Sequence, residues 1–421
     1  MATLVAKLAS IQTVLALAAR HDWEIHQVDV KSAYLNGEFE VDEVIYMHQP
    51  PGFPISDQPG KVLCLRRPLY GLKQSSRRWY EKLRQLLVDA GFRHCESDHT
   101  VFTKHSEDGL GIITVHVDDM MIAASSSNLL QEIKRQLKGF EVQHDRAARI
   151  LSLSQKSYID SIVKRYGLED AKPLSTPMDP SARLSKTDLP TTPQEFANMR
   201  NVPYHEATGS LTYAAIGSRP DIAYATTAVS HFNENPGRVH WEAVKQILRY
   251  LKGTLGWEIT YSTKVMDLQG YTDADGSTNK DRHTVSCYVF LIDGGPISWS
   301  VKTQEIIALS MTEAEYVAAT HAAKEALWLC SFLGKIFGPL DSATTLYCDN
   351  QSAIALTKND QFHARTKHID ICYHFICYVI RNGSLCLEYC PTEDMTADVL
   401  TKALPSPKVK HFASALGLHP A

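Results

Sequence analysis

Ile112-Ile113-Thr114-Val115-His116-Val117-Asp118-Asp119-Met120-Met121-Ile122-Ala123-Ala124 sets two adjacent carboxylates between two apolar runs. β-Branched residues before the acids and a second apolar run after them predict a tight β-hairpin with Asp118-Asp119 as its two-residue turn. Two unit charges ~4 Å apart repel by about 4 kcal/mol at an effective dielectric of 20, so such a tip needs solvent, a proton or a cation. Where solvent serves, Asp-Asp is ordinary turn chemistry. Where a divalent metal serves, the pair belongs to the carboxylate sets that support phosphoryl chemistry. The hairpin by itself leaves both readings open.

The rest of the chain narrows them. Its 421 residues suffice for two or three domains, each with its own core. With 44% hydrophobic and 21% charged residues the composition is that of a soluble globular protein. No apolar run approaches a membrane span and the N-terminus has no signal-peptide layout, so an intracellular protein, cytoplasmic or nuclear, is expected. Nine cysteines without a Cys-x-x-Cys pair argue against a zinc knuckle and for reduced, buried thiols. A net charge of −4 argues against indiscriminate coating of nucleic acid. Local charge differs: from Lys61 to Arg84 eight basic residues face the single acid Glu81, with Tyr70, Trp79 and Tyr80 among them. Basic and aromatic residues together suit a phosphate backbone and its bases. Trp79, Leu83, Leu86, Leu87 and Ala90 also recur at helical spacing, so one face of this helix is expected to be buried and the other basic.

A helix through Val5, Leu8, Ile11, Val14 and Ala18 opens the chain, and a short segment from Glu24 to Val30 follows. Residues Lys172 to Pro203, rich in Pro, Ser, Thr and Asp, read as a linker or wrapping segment. From Leu268 the order changes. Three strands precede a long helix at Thr312–Lys335; a strand, two helices, a strand and a last helix at Thr392–Leu404 then describe an α/β domain. Four acids there could converge on two divalent ions: Asp273 ending the first strand, Glu313 opening the long helix, Asp349 ending the fourth strand and Asp398 on the last helix. Each has a structural alternative. Ser310-x-x-Glu313 fits a capping box, Asp349 could cap the next helix, and Asp398 could lie on the surface. Asp273-x-Asp275 could instead serve a nucleotide-sugar transferase.

The ordered set of motifs closely resembles the reverse transcriptase and ribonuclease H region of copia-type LTR retrotransposon polyproteins. The matching stretches are Gln27-Val28-Asp29-Val30-Lys31-Ser32-Ala33-Tyr34-Leu35-Asn36-Gly37, Leu69-Tyr70-Gly71-Leu72-Lys73-Gln74, Val117-Asp118-Asp119, Gly217-Ser218-Arg219-Pro220-Asp221-Ile222-Ala223, Leu309-Ser310-Met311-Thr312-Glu313-Ala314-Glu315-Tyr316 and Thr366-Lys367-His368-Ile369-Asp370. The resemblance implies an α+β chain. Residues 1–141 would form a partial right-hand polymerase fingers/palm, 142–262 a thumb/connection-like region with the Pro/Ser/Thr linker, and 263–421 an α/β ribonuclease H-like domain. It implies a palm site in which Asp29, Asp118 and Asp119 hold two Mg2+ (or Mn2+) ions for nucleotidyl transfer. Lys73, Gln74, Arg77, Arg78 and His116 would lie near the RNA template, DNA primer or incoming dNTP. A second two-metal site of Asp273, Glu313, Asp349 and Asp398 would cleave RNA in an RNA–DNA hybrid.

Departures from the family pattern qualify that expectation. His116 stands where Tyr usually precedes Val-Asp-Asp, Ser75-Ser76 replaces Ala-Pro, and Gly276 replaces a Trp. A Gly-containing hairpin is missing after Phe140-Glu141, and the chain begins just before the Asp29 motif, without the upstream fingers strands. Polymerase activity is therefore expected to be weak and hybrid cleavage to be retained. Apolar palm surface left bare favours self-association. The alternative is a catalytically inactive remnant that only binds nucleic acid.

Overall fold

A computed structural model of the chain describes residues 5–30, 32–52, 61–137, 151–261, 268–275, 284–305, 308, 310–338, 342–358 and 370–420. It divides into two units, Met1–Ala148 and Arg149–Ala421. No helix among the described residues is long and apolar enough to cross a membrane.

The first unit contains α1 (Leu8–His21), β1 (Glu24–Asp29), β2 (Tyr46–Met47), β3 (Leu63–Cys64), α2 (Ser75–Asp89), β4 (Arg93–His94), β5 (Val101–Ser106), β6 (Gly109–His116), β7 (Asp119–Ala124) and α3 (Ser127–Gln136). Its antiparallel sheet has the order β1-β7-β6-β5-β4. Period-two alternation sends Ile113, Val115, Met120 and Ile122 to one face, where Trp79, Leu83 and Leu87 of α2 and Leu129, Leu130 and Ile133 of α3 close the core. The hairpin forms, but its turn lies one residue earlier than expected. His116 pairs with Asp119, so Val117-Asp118 is the turn and Asp119 is the first residue of β7. Two contacts explain the shift. Asp119 is drawn into the ladder opposite Asp29, and the Trp79 Nε1–H donates to the Val117 carbonyl at 3.0 Å. Val117 has φ +59°, the sign that the first central residue of a type II′ turn requires. For a β-branched side chain this is strained, at a cost of about 1–3 kcal/mol.

The second unit runs β8 (Leu151–Leu153), α4 (Lys156–Arg165), α5 (Pro193–Met199), α6 (Tyr204–Gly217), α7 (Ala223–Ser230), α8 (Arg238–Gly253) and β9 (Trp257–Tyr261). It continues with β10 (Leu268–Asp275), β11 (Val285–Ile292), β12 (Gly295–Thr303), α9 (Met311–Phe337), β13 (Thr344–Cys348), α10 (Gln351–Lys358), α11 (Asp370–Arg381), β14 (Leu385–Tyr389), α12 (Ser406–Ala415) and β15 (Leu418–Pro420). The main sheet has the order β12-β11-β10-β13-β14, antiparallel on the β12 side and parallel from β10 to β14. Cys287, Val289 and Leu291 of β11 share one core with α4, α6, α7, α8 and α12, while α9 packs on β10, β11 and β13. The expected helix at Thr392–Leu404 is instead a 3-10 turn, Thr396–Leu400. All five of its residues are buried, so there is no amphipathic stripe to sustain a surface helix.

The Gly217–Ala223 motif locks this unit. Arg219 is fully buried, and its guanidinium grips both Asp221 carboxylate oxygens at 2.9 and 2.7 Å. It also donates to the Thr254 carbonyl and hydroxyl and lies over the Tyr250 and Trp257 rings. Tyr250 donates to the same Asp221 at 2.6 Å. The turn carrying Asp221 packs against the Thr396–Leu400 turn, so this buried pair underlies the segment that presents Asp398.

Candidate functional site: two carboxylate clusters

In the first unit, Asp29 at the end of β1 faces Asp119 at the start of β7, and the Val30 N–H donates to the Asp118 carbonyl at 2.9 Å. The three acids expected to act together therefore meet at one end of the sheet. Asp29 and Asp119 are exposed and Asp118 is half-buried. The Tyr70 hydroxyl donates to Asp118 Oδ2 at 2.8 Å, and Gln27 Nε2 donates to Asp119 Oδ1 at 3.2 Å. Desolvation, then the Asp118 carboxylate, pushes the Tyr70 phenol up to about 12, so it remains a donor at neutral pH. Asp118 Oδ1 is buried without a hydrogen-bond partner. A desolvated, unpaired carboxylate oxygen is costly, yet the oxygens of Asp29, Asp118 and Asp119 are not gathered within 4.8 Å of one another.

His116 is exposed at the end of β6, opposite Asp119 in the ladder. Lys73 and Gln74 are exposed just before α2, and Arg77 is exposed on its first turn, paired with Glu81 at 2.8 Å. Arg78 differs from expectation. Its side chain is buried, with Glu43, Glu40 and Glu81 around the guanidinium. A guanidinium engaged by three carboxylates has few donors left for a phosphate, which removes Arg78 from the exposed basic face. The reason is helical period: Arg78 shares the inward side of α2 with Trp79, whereas Arg77 points out.

In the second unit, Asp273 lies within β10, and the parallel neighbour β13 delivers Asp349 immediately after its last residue. The Thr396–Leu400 turn adds Asp398. Carboxylate oxygens of Asp273, Asp349 and Asp398 lie within 4.8 Å of one another. The acid that α9 brings to this group is Glu315 rather than Glu313. Glu315 Oε1 accepts from the Ala274 N–H at 3.1 Å, and a Glu315 oxygen lies within 4.8 Å of both Cys348 Sγ and an Asp349 oxygen. Glu313 sits in the first turn of α9, its backbone N–H capped by Ser310 Oγ at 3.2 Å. Residues two apart are about 200° apart on a helix, so only one of the two can face the sheet. The sequence held no clear signal for the choice: Glu313 is buried as well, and Val317 and Thr320 on its line are as buried as Ala319 and Ala322 on the line of Glu315.

This cluster is electrostatically loaded. Asp273, Asp398 and Glu315 are 1%, 2% and 3% exposed. Burial, then Asp273, pushes Asp398 up to about 6; burial, then Asp273 and Asp349, pushes Glu315 up to about 10. Burial also raises Asp273, against the pull of Lys402. Burial, then Glu315, raises the Cys348 thiol, so without a metal it stays protonated at neutral pH. Three convergent carboxylates from separate elements form an all-oxygen donor set suited to a hard divalent cation. Thr401 Oγ1 donates to Asp273 Oδ2, and Thr392 Oγ1 donates to Asp349 Oδ2 at 2.9 Å. These bonds orient the oxygens. Lys31, Phe140-Glu141, Gly276 and the Thr366–Ile369 motif lie outside the described residues.

Residues 1–180 match the reverse transcriptase (RNA-dependent DNA polymerase) family. The retrovirus-related Pol polyprotein from transposon TNT 1-94 of Nicotiana tabacum is 43% identical over 432 residues, covering 99% of this chain and 32% of that protein. The transposon Ty5-1 protein of Saccharomyces cerevisiae is 31% identical over 317 residues, covering 71% of this chain and 100% of that protein. Among solved structures, the foamy viral protease-reverse transcriptase dRH in complex with double-stranded DNA superposes with a TM-score of 0.48 at 12% identity, over 89% of this chain and 57% of that one. The chain thus spans about a third of the length of the tobacco relative. On these relationships the chain belongs to the reverse transcriptase (RNA-dependent DNA polymerase) family of copia-type retrotransposon Pol polyproteins.

Proposed function

We propose that the chain carries two phosphoryl-transfer sites acting on RNA and DNA. Residues 1–141 are read as the partial fingers/palm, residues 142–262 as a thumb/connection-like region, and residues 263–421 as the ribonuclease H-like part. The observation that carries this reading is the convergence of Asp273, Asp349 and Asp398 oxygens within 4.8 Å from three separate elements.

Asp273, Asp349 and Asp398, with Glu315 beside them, would hold divalent Mg2+ or Mn2+. Such ions, when bound, activate water and steady the leaving oxygen of an in-line phosphodiester displacement. The chain's own contribution is positional. The sheet fixes Asp273 and Asp349, the buried turn fixes Asp398, and the Thr401 and Thr392 hydroxyls hold carboxylate oxygens in place. In the palm, Asp29, Asp118 and Asp119 would hold the corresponding ions for dNTP addition to a DNA primer. Lys73, Gln74, Arg77 and His116 would face template or nucleotide.

The test uses a labelled RNA–DNA hybrid and Mg2+, with Asp349→Asn as control. Hybrid-specific cleavage well above the control is expected. Equal rates would leave only nucleic-acid binding as the function. Primer extension on an RNA template, controlled by Asp118→Asn, examines the palm in the same way.

A further inference from the structure

An ammonium group already stands among the buried acids of the second unit. Lys402 Nζ lies 2.7 Å from Asp398 Oδ1, 3.4 Å from Asp273 Oδ1 and 3.2 Å from Asp273 Oδ2. It thus bridges two of the three carboxylates whose oxygens converge. Geometry explains why. Lys402 follows Asp398 by four residues at the end of the 3-10 turn, and its backbone N–H donates to the Asp398 carbonyl, which returns the side chain over the acid. Asp273 is 1% and Asp398 2% exposed, whereas the Lys402 side chain is 28% exposed. The acids are fixed by sheet and turn. The lysine is held at one end only, on a flexible four-carbon stem with a route to water.

We propose that Lys402 is a tethered counter-cation that neutralises Asp273 and Asp398 while the site is free of metal, and that it swings outward when a divalent ion binds. This rests on reading the cluster as a divalent-metal site. Three buried or half-buried carboxylates within a few ångströms cannot all remain charged without a cation. A monovalent group satisfies part of that demand and holds the acids in register. An ion bound between the same oxygens occupies the same space and repels the ammonium. Lys402 therefore acts through the carboxylates as a positioning residue, and it weakens metal binding by competing for them.

Two measurements on the full chain test this. The first is Mn2+ affinity, read from the electron paramagnetic resonance signal of free Mn2+, in the parent protein, Lys402→Met, Lys402→Arg and Asp349→Asn. Lys402→Met is expected to tighten Mn2+ binding about fivefold to twentyfold, the worth of a partly exposed ion pair that no longer has to be broken. Lys402→Arg, which keeps the charge, is expected to stay within about twofold of the parent. The second is acetylation of the Lys402 amine by an amine-reactive reagent, followed by mass spectrometry. Mn2+ is expected to raise its labelling rate severalfold in the parent and not in Asp349→Asn. This readout needs no substitution at Lys402, so poor folding of a variant leaves it intact. Asp349-dependent Mn2+ binding with unchanged affinity in Lys402→Met and unchanged labelling would overturn the counter-cation role and leave the metal-site reading standing. Absence of Asp349-dependent binding would overturn both.

Discussion

The two acid clusters solve the same electrostatic problem in different ways. In the first unit Asp29 and Asp119 remain open to water, and the donors that reach Asp118 and Asp119 are neutral, the Tyr70 phenol and the Gln27 amide. In the second, Asp273, Asp398 and Glu315 are almost wholly buried, and a lysine ammonium supplies the charge that water cannot. The first cluster is built by one hairpin and one strand pairing, contacts within a single sheet. The second needs two strands, a helix and a turn gathered from residues 273 to 398. A cluster assembled from distant parts can exclude water, and exclusion is what displaces its protonation equilibria.

The most severe way to break the contrast is to loosen the scaffold of one cluster alone. Asp221→Asn leaves the Arg219 guanidinium buried without its counter-charge, a loss expected to cost about 3–5 kcal/mol. Urea denaturation with segment-resolved hydrogen exchange should show the loss within 149–421 while 1–148 keeps its protection. Equal loss in both units would show that their stabilities are linked.

Glu315→Gln against Glu313→Gln comes next. The first is expected to lower hybrid cleavage at least about a hundredfold, the upper range for disturbing a metal site. The second should change it less than about fivefold and, as a change beside a helix cap, cost at most about 1 kcal/mol. Reversed effects would return the role to Glu313.

Acid–base behaviour should separate the clusters further. With free values of 3.8 and 4.5, Asp398 and Glu315 are raised in the folded chain to about 6 and about 10. Raised folded values stabilise the protonated form. Their contribution is full below about pH 4 and is lost as the pH climbs through about 6 for Asp398 and then about 10 for Glu315. In EDTA, thermal unfolding of the second unit should therefore move to lower temperature between pH 4 and 8, by several degrees. Mg2+ added at pH 8 should recover that shift, since a ligand of the folded state stabilises it by mass action. A metal-free melting temperature that rises across this range would contradict the buried-acid picture.

Tyr70→Phe is expected to give the smallest effect. It removes one hydrogen bond to Asp118, worth about 1 kcal/mol, so primer extension should fall about fivefold with hybrid cleavage unchanged. No change in extension would mean that Tyr70 lies aside from the working geometry.

Much of this architecture is legible in the residues themselves. Val285–Ile292, Thr344–Cys348 and Leu385–Tyr389 are the strands that alternation and β-branched content mark out, and the long helix agrees with its apolar spacing to within two residues at each end. Asp118 and Asp119 can be named because short-range pattern builds their hairpin, whereas Asp29, on β1, is named only through the family motif that carries it. Which way a given side chain turns is not legible in the same way. Glu313 and Glu315 stand in one motif, and Arg77 and Arg78 are neighbours, yet in each pair only one faces the surroundings that the motif suggested.

The linear sequence therefore determined the elements, the order of the acids and the family, because local periodicity and residue type carry that information. Tertiary structure decided that Glu315 joins the cluster, that three glutamates enclose Arg78, that Val117 rather than Asp119 lies in the turn, and that Lys402 stands among the acids. Those outcomes depend on which faces pack and which oxygens lose their water. Such facts are set largely by groups 35 to 129 residues apart meeting in space, beyond the reach of any local window along the chain.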